Sequence, residues 1–132
     1  MTFPSFYDPA NAARWDYDPP VSRIFTEASA LGLPPAAADA HKVALVIVDG
    51  QKDFCLPQGA LYVGGRSGQG AIDDSRRIAE FIYRNLATLS TVAVTVDSHL
   101  LWQIFFPSFW LVGENTPVPA HATIEADEAD QR

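Results

Sequence analysis

The chain has 132 residues, enough for one domain or part of one, and a globular composition: 48% hydrophobic, 11% aromatic and 19% charged. Its net charge of −7 excludes a general nucleic-acid binder, which needs clustered Lys and Arg against phosphate. No apolar run reaches the ~20 residues that cross a bilayer, and the greasiest stretch, Leu100 to Val112, is broken by Gln103, Pro107 and Ser108.

The opening residues Met1 to Ser5 lack the basic and apolar regions of a signal peptide, and the single Cys55 has no partner for an internal disulfide. A soluble cytoplasmic protein is therefore expected. Residues 1–40 read as an arm. Pro4, Pro9, Pro19, Pro20, Pro34 and Pro35 prevent long helices or central strands there. Phe3, Phe6, Tyr7, Trp15 and Tyr17 argue against a disordered tail, so the arm should wrap its own domain or a neighbouring subunit. Val21, Ile24, Phe25, Ala28 and Leu31 recur at helical spacing after the proline pair, with Gly32 as terminator.

Val43 to Val48 is a continuous, mostly β-branched apolar run. That pattern suits a strand buried on both faces, as in a parallel sheet. The glycine-rich stretch Gly64 to Gly70 lacks the G-K-[ST] ending of a phosphate-binding loop and reads as a connection. Ile78, Ile82, Leu86 and Leu89 then place a helix over about 71–89, and Thr91 to Val96 reads as a second strand. Strand, crossover helix and strand make a right-handed βαβ unit.

The expected fold is α/β, a three-layer αβα sandwich with a parallel central sheet. Such sheets usually contain ~5–6 strands with helices on both faces, and this chain supplies two convincing ones. Residues 41–132 are thus expected to be the N-terminal half of a domain. A homo-oligomer, or association with the missing half, would complete it. Glu125, Asp127, Glu128 and Asp130 should form a solvated end.

Two groups of residues could carry chemistry. Asp49 follows the first strand at its carboxyl end, where open α/β sheets bind ligands. The alternative is a loop-capping role for Asp49, and an Asx-turn for Asp53. Gln51 stands where a haloacid-dehalogenase-type phosphatase needs its second Asp. After the second strand, Asp97 and His99 lie two apart, so both can face one cavity. With His121 they form a plausible set for zinc, iron or manganese; capping by Asp97 and a hydrogen-bonded slot for His99 are the structural alternatives. The aromatic run Trp102 to Trp110 is a packed loop, a subunit interface or a pocket wall, and in the last case Trp102 would touch substrate.

In order, the apolar strand, Asp49-Gly50-Gln51-Lys52-Asp53-Phe54, Gly59-Ala60-Leu61-Tyr62-Val63, Asp97-Ser98-His99 and Pro117 to His121 resemble the isochorismatase-like cysteine hydrolases, nicotinamidases in particular. The resemblance covers about residues 43–124. It implies that Asp49 is the catalytic aspartate, the base that takes the proton of a cysteine thiol. It further implies that Gln51 and Phe54 line the substrate pocket, and that Asp97, His99 and His121 hold a divalent metal. The implied reaction is hydrolysis of a small amide such as nicotinamide through a thioester.

The family's Lys and nucleophilic Cys have no counterpart here. Lys42 precedes the first strand, Lys52 lies inside the loop motif, and Cys55 reads as a structural thiol. Gln103 or Phe105 stands near the place of the family's other histidine. This chain alone is therefore expected to be inactive. Vinyl-ether hydrolysis of the isochorismatase type, or an inactive binding or oligomerisation module, remain the other readings.

Overall fold

In a computed structural model, residues 3–100, 103–104, 106–113, 115–119 and 122–126 are described. The chain divides into two compact units, Met1–Val96 and Asp97–Arg132.

Proline chemistry shapes the start of the first unit. Pro9 opens a 3-10 turn over Pro9–Ala13, and Asp8 caps it by accepting the Ala10 N–H at 2.9 Å. Helix α1, Val21–Ala30, begins directly after Pro19 and Pro20 and is followed by Gly32 in the left-handed region, φ 59°. The arm folds back on its own unit. Phe6 and Tyr7 set their rings against Tyr83 at 6.0 and 5.4 Å, and the Arg76 Nε donates to the Pro9 carbonyl at 3.1 Å.

Strand β1, Ala44–Ile47, is followed by a single helical turn α2, Lys52–Cys55, then helix α3, Gly70–Arg84, and strand β2, Thr91–Val94. The two strands pair in parallel, Ala44 opposite Thr91 and Ile47 opposite Val94. Both are shorter than the apolar runs that contain them. β1 ends where Asp49 turns into the left-handed region at φ 56°, and one further main-chain bond, Thr95 N–H to the Ile47 carbonyl at 2.9 Å, closes the ladder. Helix α3 also stops before the expected 89. The Asn85 side-chain amide donates to the Phe81 carbonyl at 2.7 Å, and the Asn85 carbonyl takes the N–H groups of Thr88 and Leu89 in a closing turn.

The described fold is thus mixed helix and strand around a two-stranded parallel sheet. Among the described residues the fully buried apolar side chains are Ile72 of α3, 2% exposed, and Leu56, 4% exposed, after α2. Leu45 and Ile47 are half-buried, whereas Val46 and Val94 keep 58% and 53% of their surface. No helix of the described residues is long and apolar enough to cross a membrane.

In the second unit, a 3-10 turn at Pro107–Phe109 leads into strands β3, Leu111–Val112, and β4, Thr116–Pro117, an antiparallel hairpin. Gly113 supplies a positive φ of 64° at its bend. The aromatic run is partly organised from within: the Trp110 indole N–H donates to the Ile104 carbonyl at 2.6 Å. Two-residue strands leave too short a pattern for sequence periodicity to detect.

With so few fully buried side chains, Ile72 should matter more than its size suggests. Ile72→Ala is expected to cost about 2–5 kcal/mol in urea unfolding. Phe25→Ala, at a side chain 70% exposed on α1, should stay within about 0.5 kcal/mol. Equal losses at the two positions would contradict this placement of the core.

Candidate functional site

Asp49 is presented by the geometry at the end of β1. Left-handed backbone is uncommon outside glycine, and aspartate is among the residues that tolerate it. The turn is pinned across the sheet: the Asp49 N–H donates to Thr95 Oγ1 at 3.0 Å, just past the end of β2. Its carbonyl accepts the Gln51 N–H at 2.8 Å. Gly50 next to it has no room for a side chain, since a Cβ would meet Ile47 Cγ2 at 2.9 Å.

The Gln51 carbonyl in turn accepts the N–H groups of Phe54 and Cys55, at 3.2 and 3.0 Å, which starts α2. Asp53 turns away to a structural task. Its side chain accepts the Ala60 N–H at 3.3 Å and its carbonyl the Leu61 N–H at 3.2 Å. Gly59 lies against this backbone so closely that a Cβ would sit 2.2 Å from the Asp53 carbonyl oxygen. Phe54 is held likewise, its carbonyl taking the Val63 N–H at 2.9 Å. The two outer carboxylates of the D-x-Q-x-D motif therefore do different work: Asp53 fastens the loop and Asp49 opens on a cavity.

That cavity has a volume of about 740 Å³. Leu45 and Val48 form one wall, Ile78 and Phe81 of α3 another, and Phe54 contributes an aromatic ring. Asp49 and Cys55 line it as well. Cys55 is half-buried, and sequence reasoning alone had set it aside as a structural thiol. Its position in the last residue of α2 brings it to the same cavity wall as Asp49. Gln51 is not among the residues lining this cavity.

Neither lysine stands with this group. The Lys42 ammonium donates to the carbonyls of Ala36 and Ala37, the latter at 2.9 Å. Lys52 donates to the Trp15 carbonyl and lies over the Trp15 ring, 5.6 Å from its centroid.

In the second unit Asp97 and His99 are in direct contact, Oδ2 to Nε2 at 2.8 Å. The other ring nitrogen, Nδ1, meets Gln103 Oε1 at 2.9 Å, and the same oxygen accepts the Leu100 N–H at 3.1 Å. Phe106 presents a perpendicular ring 6.1 Å away. The Asp97 carboxylate, followed by the Gln103 oxygen, raises the His99 pKa above its ordinary value. Gln103 is thus a positioning residue that sequence spacing did not single out as one. Both partners are oxygen acceptors, so the two contacts are satisfied together when the imidazole donates from both nitrogens, which is its protonated form. Among the described residues no three His, Cys, Asp or Glu side chains group closely enough to hold an ion. His121, expected as a third ligand, and Trp102, expected to touch substrate, lie outside the described residues, as does Phe105.

Comparison of the chain with family models, with curated proteins and with solved structures returned no match in any of the three.

The raised His99 pKa makes a signed prediction. A histidine whose folded pKa exceeds its unfolded value of ~6.5 adds stability that is complete below that value and fades as pH rises through the folded one. Asp97→Asn should lower the imidazole midpoint toward ~6.5 in an NMR titration. The stability difference between wild type and Asp97→Asn should be larger at acid than at alkaline pH. An unchanged midpoint would mean the contact is not held in solution.

Proposed function

We propose that this chain forms the base-bearing half of a three-layer αβα hydrolase of the isochorismatase-like type, acting on a small amide such as nicotinamide. The observation that carries this reading is Asp49, fixed by Thr95 at the carboxyl end of a parallel strand and lining an apolar, aromatic-walled cavity. The order of motifs around it supports the same class.

In this reaction the Asp49 carboxylate takes the proton from a cysteine thiol, and the thiolate attacks the amide carbon. The C–N bond breaks, the proton passes to the leaving nitrogen, and ammonia departs from a thioester. Water then adds to the thioester, releasing the carboxylic acid and restoring the thiol. Phe54 walls the substrate. In the second unit the resemblance assigns a divalent ion to Asp97 and His99, whose Nε2 must first leave the Asp97 carboxylate it contacts at 2.8 Å, with Gln103 steadying the ring. They would hold zinc, iron or manganese together with His121, and the bound ion would supply a Lewis acid.

The reading assigns the Lys and the nucleophilic Cys to further polypeptide that completes the sheet. Cys55 offers a competing assignment because it lines the same cavity as Asp49. Two measurements separate them. Nicotinamide titrated into the labelled protein should shift backbone NMR signals from Val48 to Cys55, and Phe54→Ala should weaken binding about tenfold. Ammonia release by this chain should be absent. Turnover abolished by Cys55→Ser would make Cys55 the nucleophile. Absence of binding at millimolar nicotinamide would overturn the substrate assignment.

A further inference from the structure

A second cavity, separate from the one lined by Asp49, lies between the N-terminal arm and α3. It measures about 210 Å³ and is lined by the rings of Phe6, Tyr7, Tyr17 and Tyr83 together with Asp8 and Arg76. At about 30 Å³ per water, it has room for about seven water molecules, which suits one small head group and excludes a nucleotide or a sugar chain.

We propose that this cavity binds a small methylated ammonium ion, a head group of the choline type. Its walls meet steeply. Tyr83 is inclined 64° to Tyr7 and 74° to Phe6, with centroids 5.4 and 6.0 Å apart. Rings set at such angles around a hollow offer the negative face of their quadrupoles to a ligand from more than one side. A cation whose charge is spread over methyl groups gains from those faces and from apolar contact together. Such ions are also weakly hydrated, so an aromatic wall replaces their water at small cost.

The charges around the hollow agree. Arg76 reaches the lining, but its guanidinium is engaged by Asp73 at 2.9 Å and by the Pro9 carbonyl at 3.1 Å. Arg84, which does not line the cavity, pairs with Glu80 at 3.0 Å and lies over the Phe3 ring. Glu80 also accepts the Tyr7 hydroxyl at 3.3 Å, which turns that phenol's oxygen toward further negative charge. Asp8 lines the cavity beside Arg76, whose charge Asp73 offsets. Burial, and then the neighbouring Tyr17 phenol, hold the Tyr83 hydroxyl above its ordinary pKa, so this ring stays neutral across physiological pH. An anion would meet the Asp8 carboxylate and a guanidinium already held by Asp73, and a bare ammonium would keep its water.

Choline and 3,3-dimethylbutanol share a shape and differ in charge, so titration calorimetry with both on the full chain isolates the cation. Choline is expected to bind, and the neutral alcohol to bind at least about tenfold more weakly. Tyr83→Leu should lose about the same factor. Because Tyr83 also anchors the arm, Tyr17→Leu serves as a second variant, with circular dichroism reporting the fold of each. Equal binding of the two ligands, no binding of choline at millimolar concentration, or full affinity in a folded Tyr17→Leu protein would each overturn the proposal.

Discussion

The parallel pairing of β1 with β2 is the constraint on which the rest of the first unit depends. A hairpin could bring two strands together over a two-residue turn, but parallel strands need a crossover, and α3 is that crossover. The last rung does more than close the ladder. The Thr95 N–H binds the Ile47 carbonyl and the Thr95 hydroxyl accepts the Asp49 N–H, so one residue past β2 fixes both the end of β1 and the unusual turn beyond it. Slippage by one residue would reverse which side chains point to each face, and Asp49 would lose the bond that holds its backbone at positive φ.

Helix α3 serves two surfaces at once. Ile78 and Phe81 face the larger cavity, while Arg76, Glu80 and Tyr83 receive the arm. Ile72 near its start is buried between these tasks. The arm is therefore part of the first unit's packing, and its aromatic residues are used on the helix that also walls the cavity.

Much of the architecture was legible because its signals are local. Proline before Val21 and glycine at 32 bracket α1 within one residue of the expected helix. The mostly β-branched runs at 43–48 and 91–96 contain both strands. What sequence could not supply were contacts set by three dimensions. Periodicity ran the helix on to Leu89, because Leu86 and Leu89 keep the apolar spacing while the Asn85 side chain diverts the backbone. Nothing in a linear motif tells which residue of a one-turn helix lines a cavity, as Cys55 does. Gln103 was noted only for not being histidine, yet its oxygen meets the His99 ring. The hairpin of the second unit is too brief for any period to register.

The division of labour between Asp49 and Asp53 bears on what a motif match measures. Asp53 and Gly59 are demanded by the loop itself, since a glycine is the only residue that fits against that backbone and a carboxylate oxygen takes the Ala60 N–H. Asp49 carries no such duty to the loop's closure. Selection for shape alone would preserve most letters of the pattern, including the aromatic that follows, in a protein that had lost its chemistry. Closure of the loop thus accounts for Asp53 and Gly59 without any chemistry, and leaves the Asp49 carboxylate as the letter of the pattern it does not explain.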